Sequence, residues 1–235
     1  MTPTFEASVS KFMKKAARLD PFELKAYADL LAILDSEPKY AEPQKLGLKL
    51  LLISDTHGYF AFDKYRFANF LDTVGDFDLC VILGDVHPYE MPYILDCVPS
   101  EMLVGVLGNH DHRSLYRDFG VREVTGEIFE AKGVRFAAID GSFKYKNDDF
   151  VSHSQHESLL IAENMPKADV LLTHDTAFSY PYRESAHAGL VGINYYMHKN
   201  LPKWHFHGHV HDSYTAKYPC GTVEKSVYLC EYVEI

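Results

Sequence analysis

Residues 48–58 read Leu-Lys-Leu-Leu-Leu-Ile-Ser-Asp-Thr-His-Gly. The apolar run from Leu48 to Ser54 is typical of a strand that is buried on both faces. It ends abruptly in the polar turn Asp55-Thr56-His57-Gly58. The same arrangement recurs at 78–83, 102–107 and 168–173, where an apolar run again leads into a polar turn. The sequence therefore predicts several buried strands whose carboxyl ends carry polar side chains.

Between these runs, apolar residues recur at helical spacing in three segments, 62–73, 89–97 and 154–164. Alternating strands and helices predict an α/β architecture with mainly parallel strand pairing. The segment 127–140, which turns at Lys132-Gly133, predicts a hairpin, and the segment 213–234 predicts another.

The first 46 residues differ from the rest of the chain. Apolar residues recur at helical spacing from Phe5 to Ala16, and residues 20–23 read Asp-Pro-Phe-Glu, an order typical of a helix start. Pro38 and Pro43 bracket a polar stretch that cannot continue a helix. We therefore predict an N-terminal helical hairpin and linker over 1–46 and a catalytic domain over 47–235.

Composition limits the class of protein. Of the 235 residues, 47% are hydrophobic, as in ordinary globular domains, and the formal charge of −10 disfavours extended binding to nucleic acid. The four cysteines show no C-x-x-C spacing, so a zinc ribbon is not indicated. No membrane-spanning run or secretory signal pattern is present in the sequence, and we expect a cytoplasmic protein.

The polar turns carry the chemistry. Ligands collect beyond the carboxyl ends of strands in open α/β sheets, so the turns are expected to converge on one crevice. Their imidazoles and carboxylates suit transition metals, with manganese favoured and iron, nickel, cobalt or zinc as alternatives. Residues two apart in extended chain share a side, so each Asp-x-His or His-x-His pair would present two ligands together. Seven candidates exceed one open site and fit two divalent ions about 3.5–4 Å apart. The candidates are Asp55, His57, Asp85, Asn109, His174, His209 and His211.

These blocks resemble the calcineurin-like metallophosphoesterase superfamily, whose pattern is D-x-H, G-D, G-N-H-[DE], H and G-H-x-H. All five blocks are present in order between residues 49 and 212. The resemblance implies an α/β fold, a four-layer αββα sandwich of two mixed sheets flanked by helices, and so amends the mainly parallel prediction.

The resemblance also implies roles for the site residues. Asp55, His57 and His211 would hold one metal, Asn109, His174 and His209 the other, and Asp85 would bridge them. His110 would be the catalytic histidine that assists the leaving group during in-line attack by a metal-bridging hydroxide. Asp111 would orient the ring of His110.

Two departures narrow the branch. The protein phosphatases of this superfamily carry Asp-Arg-Gly after the G-D block and Glu after G-N-H, whereas this chain has Val86-His87-Pro88 and Asp111. Small phosphodiesterases with G-N-C-D lack the histidine that is present here as His110. The pattern looks more like the bacterial and phage-type phosphodiesterases.

Further residues near the blocks are weaker candidates. His187, His112 and Arg113 are predicted to contact substrate. A second group has a structural interpretation that we favour over a functional one: His87 as a hydrogen-bonding neighbour of the site, and His205 and His207 as partly buried neutral imidazoles with satisfied hydrogen bonds. Aromatic side chains in turns could stack on a nucleobase, although packing is the better interpretation of each: Tyr59, Phe60, Tyr89, Tyr180 and Tyr182.

The sequence thus predicts a metal-dependent phosphoesterase acting on a small-molecule or nucleotide phosphodiester. A phosphomonoesterase is the first alternative, because the same metals and histidine serve both reactions. A non-catalytic scaffold of the same fold is the second, and the complete ligand set argues against it.

Overall fold

The computed structural model describes residues 45–63, 65–145, 150–178 and 185–235. The predicted N-terminal helices, within residues 1–44, lie outside the described part of the chain.

Strands and helices within the described residues mostly follow the predicted segments. The strands are β1 Lys49–Ser54, β2 Leu79–Ile82, β3 Leu103–Gly105, β4 Arg122–Glu123, β5 Ile128–Ala131, β6 Val134–Ile139, β7 Ser142–Phe143, β8 Ser152–His153, β9 Val170–Thr173, β10 Trp204–His207, β11 Tyr214–Lys217, β12 Val223–Ser226 and β13 Leu229–Glu234. The α-helices are α1 Arg66–Leu71, α2 Met91–Leu95, α3 Leu115–Asp118, α4 Gln155–Asn164 and α5 Val191–Asn200, and short 3₁₀ turns cover Ser100–Met102 and Ser185–His187.

Two large sheets form the centre of the fold. One has the strand order β13-β1-β2-β3-β4 and the other β11-β12-β10-β9-β6-β5, while β7 and β8 pair separately. Inner strands of both sheets are parallel, whereas β13, β5 and β11 pair antiparallel with their neighbours. The pairing is therefore mainly parallel, as predicted, and the antiparallel strands at three of the four edges make both sheets mixed, as the family resemblance implied. A two-residue turn such as Lys132-Gly133 can join only antiparallel neighbours.

The predicted C-terminal hairpin is correct only in part. Strands β11 and β12 pair antiparallel, with Tyr214 opposite Ser226. The chain then crosses to the other sheet, where β13 runs antiparallel to β1 from Leu229 to Glu234. Leu229 has a φ of 64°, and this left-handed backbone redirects the chain between the sheets.

Side chains that point alternately to the two faces of the inner strands create the layers. In β1, Leu50 and Leu52 belong to the core between the two sheets, while Leu51 and Ile53 pack with the side chains of α1, α2 and α3. The second sheet is covered in the same way: residues on its outer face, such as Ala137, pack against α4 and α5. The inner strands thus bury both faces, and the layer order is helix, sheet, sheet, helix.

Local sequence sets the helix boundaries. Ser154 caps α4 by accepting the amide of Glu157, whose carboxylate accepts the amide of Ser154 in return. This helix matches the predicted segment 154–164. The helix predicted over 62–73 is shorter, Arg66–Leu71, because residues 59–62 form turns before it. In the described residues, no helix has the length and apolar character that a membrane crossing requires.

An ion pair between β8 and the loop after β6 predicts a pH dependence of stability. His153 Nε2 lies 2.8 Å from Asp140 Oδ1. Burial lowers the pKa of His153, but the hydrogen bond and charge of Asp140 outweigh burial and raise the pKa above 6.5. The stabilisation is therefore fully present below about pH 6.5 and disappears as the pH rises through the higher folded-state pKa.

We expect His153→Gln to lower the free energy of unfolding by about 1 kcal/mol below pH 6.5 and by less at alkaline pH. Thermal unfolding of both proteins across this range measures the difference. A stability difference that grows with pH would contradict this account of the pair.

Candidate metal centre

Five loops at the carboxyl ends of β1, β2, β3, β9 and β10 bring the predicted ligands together. On one side, His57 Nε2 lies 3.1 Å from His211 Nε2, and His211 Nε2 lies 3.4 Å from Asp55 Oδ1. Asp85 Oδ2 is 3.7 Å from His57 Nε2. Three side chains, those of Asp55, His57 and His211, have ligand atoms within 4.8 Å of one another, as a metal site requires.

A second group shares Asp55 and Asp85 with the first. His174 Nε2 lies 3.6 Å from Asp85 Oδ2 and 3.0 Å from Asn109 Oδ1, and the rings of His174 and His209 are 5.0 Å apart. Asp55, Asp85 and His174 again have ligand atoms within 4.8 Å. All seven predicted ligands therefore surround one region, with the two aspartates between its halves.

The halves differ in exposure. The side chains of His57 and His211 are 39% and 47% exposed. In contrast, Asn109, His174 and His209 are buried. Ions bound in the first half would therefore exchange with solvent more readily than ions bound in the second.

Backbone carbonyls fix the tautomers of two histidines. His174 Nδ1 donates to the carbonyl of Leu83 at 2.7 Å, and His209 Nε2 donates to the carbonyl of Ala186 at 2.7 Å. A carbonyl only accepts, so each of these nitrogens carries the proton. When either ring is neutral, its opposite nitrogen carries the lone pair that can bind a metal, an arrangement typical of metal-binding histidines.

Two buried polar atoms of the centre are unsatisfied within the described residues. Asp55 Oδ1 and Asn109 Nδ2 are buried without a hydrogen-bond partner. The Asp55 oxygen instead faces imidazole nitrogens of His211 and His57, at 3.4 and 4.0 Å. Since an unpaired buried carboxylate oxygen is costly, a cation among these atoms explains the arrangement. The donor set of imidazole, carboxylate and amide oxygen fits divalent transition metals.

Electrostatics also favours positive charge here. Burial lowers the pKa of His174, but the charges of Asp85 and Asp55 outweigh burial and raise it to about 9. Burial would raise the pKa of Asp55, yet the close His211 imidazole and the charge of His174 hold it below its usual range. The carboxylates are thus poised to bind positive charge, as protons on the histidines or as metal ions.

Left-handed backbone places most of these ligands. We predicted an extended segment here, but Asp55 and His57 have left-handed φ values of 54° and 44°. Both side chains still reach the same site, but through two left-handed residues rather than through strand alternation. Other ligands with positive φ are Asp85 at 55°, His209 at 68° and His211 at 53°. Such backbone costs about 1 kcal/mol for each non-glycine residue, and it concentrates at functional sites.

Two glycines let the loops approach. A Cβ at Gly108 would overlap the carboxylate and amide of Asp85, and a Cβ at Gly208 would overlap Ser54 Oγ and the carboxylate of Asp55. The glycines of the G-N-H-D and G-H-x-H blocks are therefore required by contact between the ligand loops.

Asp111 has partners other than the predicted one. Its Oδ2 accepts the amides of Asp85 and Gly108 at 2.9 and 2.7 Å, and its Oδ1 accepts the amide of Val86 at 3.1 Å. Burial and the charge of Asp85 raise its pKa to about 7. The carboxylate thus joins two ligand loops, and its oxygens are engaged by backbone amides rather than by the ring of His110.

His110 projects beside the ligands and is exposed. Its amide donates to Asp85 Oδ1 at 2.8 Å, which fixes the backbone of His110 to a central aspartate. Its ring lies 5.7 Å from the ring of His57 and 4.7 Å from the ring of Phe150, both edge to face. Asp85 and these rings therefore hold His110 next to the metal centre.

The three predicted substrate contacts differ in position. His187 is near the centre, with its ring 5.0 Å from that of His209 and 6.2 Å from that of His211. The His112 ring instead contacts Ser114 Oγ at 2.8 Å. Arg113 is exposed, and its charge partly offsets the burial that raises the pKa of Glu123. Of the three, the structure brings only His187 against the ligands.

Other candidates have structural surroundings. His87 is exposed and packs its ring on Tyr89. Phe60 is buried, which argues against its stacking on a base, whereas Tyr59 is 40% exposed with Arg66 over its ring. Two further candidates, Tyr180 and Tyr182, lie outside the described residues.

His205 and His207 are fully buried, rather than partly buried as predicted, around a partner that the sequence did not reveal. Glu224 lies 3.4 Å from His205 Nδ1 and 3.3 Å from His207 Nε2. Burial raises the pKa of Glu224, but the charge of His207 and the hydrogen bond of His205 outweigh burial and lower it. This cluster stabilises β10 against β12 and lies apart from the seven ligands.

Supporting residues outside the sequence blocks were missed. Ser54 Oγ donates to Asp55 Oδ2 at 2.6 Å, and the buried Glu90 accepts hydrogen bonds from the loop that carries His57. Ser54 adjoins the D-x-H block, but Glu90 has no signal in its neighbourhood beyond a helix start.

Residues 48–227 match the model of the calcineurin-like phosphoesterase superfamily domain. No curated protein sequence matches the chain significantly.

Solved structures with a similar fold include the protein TT1561 of Thermus thermophilus, with 11% identity, a TM-score of 0.53, and coverage of 80% of this chain and 98% of that chain. Phosphopantetheinyl hydrolase from Mycobacterium tuberculosis has 15% identity, a TM-score of 0.50 and coverage of 78% and 91%. The 5′-nucleotidase from Candida albicans has 13% identity and a TM-score of 0.53 over 85% of this chain and 49% of that chain, so this chain spans about half of it. At these identities the likeness shows the fold alone.

Proposed function

Because this chain belongs to the calcineurin-like phosphoesterase superfamily, we propose that it hydrolyses a phosphodiester with the help of two divalent metal ions. The observation that carries the proposal is the convergence of the candidate ligands: five of them form two clusters that share Asp55, whose Oδ1 is buried without a hydrogen-bond partner. An unpaired buried carboxylate oxygen among imidazoles is costly unless a cation compensates its charge.

Each half of the centre would hold one ion. Asp55, His57 and His211 would hold the more exposed ion, and Asn109, His174 and His209 the buried one, with Asp85 shared between them. When bound, two such ions neutralise phosphoryl oxygens and lower the pKa of coordinated water. Asp111 and Asp55 would keep the ligand loops together, because each accepts amides from a neighbouring loop.

His110 would act on the leaving group. Its ring is exposed beside His57, and its backbone is held by Asp85, so its position relative to the ligands is fixed while its nitrogens remain accessible. A protonated imidazole there can donate to the ester oxygen as the bond to phosphorus breaks. His187, on the other side of the centre, would contact the substrate.

A diester is favoured over a monoester by the charges around the centre. Within the described residues, the hydrogen bonds and ion pairs of the seven ligands involve histidine, aspartate, asparagine, serine and backbone groups but neither lysine nor arginine. A monoester carries an additional negative charge, which an extra cation would help to bind. The singly charged diester needs no such group.

Three further features belong to this proposal. We assign catalysis to residues 47–235, favour manganese among the transition metals, and expect a cytoplasmic enzyme that acts on a small-molecule or nucleotide substrate.

Chelation tests the function directly. We expect purified full-length protein to hydrolyse chromogenic diesters, to lose this activity after treatment with a chelator and to regain it with Mn²⁺. A side-by-side assay of chromogenic monoesters and diesters across several metals, followed by cyclic and linear nucleotides, measures the preference. Faster monoester hydrolysis would establish the alternative phosphomonoesterase, and absence of turnover despite bound metal would support a non-catalytic scaffold.

A further inference from the structure

Glu90 is a fully buried carboxylate at the start of α2. Its Oε2 accepts three hydrogen bonds and its Oε1 a fourth. The donors are Thr56 Oγ1 at 2.7 Å, the Gly58 amide at 2.8 Å, the His87 amide at 3.0 Å and, to Oε1, the Phe60 amide at 2.7 Å. A carboxylate that accepts this many hydrogen bonds is held firmly and holds its donors in turn.

The donors surround one metal ligand. Thr56 and Gly58 are the two chain neighbours of His57, whose backbone is left-handed with a φ of 44°. The side chain of His57 is 39% exposed, so packing restrains it less than it restrains the buried ligands. Because left-handed backbone is unfavourable for histidine, contacts on both sides are needed to keep it.

Glu90 also connects two ligand loops. Its bond from the His87 amide joins the loop that begins at Asp85 to the loop that contains His57. The His57 amide donates to the Asp85 carbonyl at 3.2 Å, which is the neighbouring contact between these loops. A shift of Glu90 would therefore change the distance from His57 to Asp85, two residues that face the same ion.

We propose that Glu90 is a positioning residue for the more exposed metal ion, because its carboxylate holds the left-handed segment that aims His57 at Asp55 and His211. This inference rests on the metal-binding part of the proposed function. It assigns Glu90 to one half of the centre, since its hydrogen bonds go to the loops of His57 and Asp85 and to none of the loops that carry Asn109, His174 or His209 within the described residues.

Glu90→Gln is the informative change because it preserves size. The amide oxygen can take the place of Oε2 and accept the same three hydrogen bonds. The amide NH₂ then faces the Phe60 N–H, and the negative charge is lost. Two donors in contact destabilise the loop, and substitutions of residues that support metal ligands weaken metal affinity by about 10- to 100-fold. We expect this weakening for one ion per chain and an unchanged affinity for the other.

Calorimetric titration of chelator-treated full-length protein with Mn²⁺ measures both affinities without any substrate. Electron paramagnetic resonance gives a second readout: at limiting Mn²⁺ the variant should show an isolated ion where the wild type shows a coupled pair. Excess Mn²⁺ should restore the coupled signal. A general loss of structure would weaken both ions and would not be reversed by excess metal.

Two further variants provide a graded test and a control. Thr56→Val removes one of the four donors while keeping shape and charge, so it should weaken the same ion by a smaller factor. Asp78→Asn is the matched control, because Asp78 accepts the Lys49 amide at 2.9 Å at the opposite end of β1. It should leave both affinities at wild-type values.

The inference would be overturned if Glu90→Gln bound both ions with wild-type affinity. An equal loss of affinity for both ions, or a preferential loss for the buried ion, would also overturn it. The proposed activity would be contradicted separately if wild-type protein bound two ions and hydrolysed no phosphate ester. The titration would then still decide the role of Glu90.

Discussion

Replacing Asp85 by asparagine is expected to reduce phosphoester hydrolysis by at least about a thousandfold, because roughly 4 kcal/mol of electrostatic stabilisation would be lost. Its Oδ1 accepts the His110 amide, and its Oδ2 lies 3.7 Å from His57 Nε2 and 3.6 Å from His174 Nε2. An asparagine oxygen would keep the bond from His110, so its NH₂ group would face the histidines. The change thus removes the shared ligand while it preserves the backbone of His110.

Metal analysis and steady-state kinetics on the same preparation measure this effect. Asp169→Asn is a suitable control, because Asp169 accepts the Arg135 amide near the start of β9, at the opposite end from His174. We expect the control to retain both metal and activity. Wild-type activity in Asp85→Asn would refute the proposed centre.

Removing the imidazole of His110 is expected to slow hydrolysis by about 10²- to 10⁴-fold, the range for loss of a general acid. The ring contacts His57 and Phe150 edge to face, and its own pairings in the described residues do not involve the buried half of the centre. We therefore expect His110→Ala to bind metal as the wild type does. The loss should appear in kcat, since the proton is needed only as the leaving group departs.

The leaving group separates this role from a structural one. Good leaving groups need little protonation, so an activated aryl ester should lose much less rate in His110→Ala than an alkyl ester. His156→Ala, at an exposed position of α4, controls for removal of a histidine elsewhere. Equal losses for aryl and alkyl esters would show that His110 does not act as the acid.

Much of the fold could be predicted because the strands are buried on both faces. A short, continuous apolar run such as Leu50 to Ile53 is compatible with few structures other than a central strand. The capping box of Ser154 and Glu157 marks the start of α4 without tertiary information. Edge strands were harder. Strand β13 leaves its apparent hairpin partner for β1, and this choice depends on the unpaired edge of another sheet rather than on local sequence.

The convergence of the candidate ligands could be predicted from residue types in turns, but the backbone geometry that brings them together could not. Asp55 and His57 meet through left-handed backbone, and periodicity carries no information about that. Supporting groups were missed for a related reason: Glu90 is 30 residues from its donor Phe60. Asp111 was assigned to the ring of His110, its neighbour in sequence, whereas its actual partners include Asp85 on another loop.

The left-handed backbone of the ligand loops also predicts how a descendant that no longer bound metal would drift. Without ions, aspartate and histidine at such positions keep only their conformational cost, about 1 kcal/mol each, which glycine would relieve. Mutation under selection for stability alone would therefore replace residues such as Asp55, His57 and His211 early. Keeping all three residues on left-handed backbone, as this chain does, is therefore the outcome that the proposed ion binding predicts.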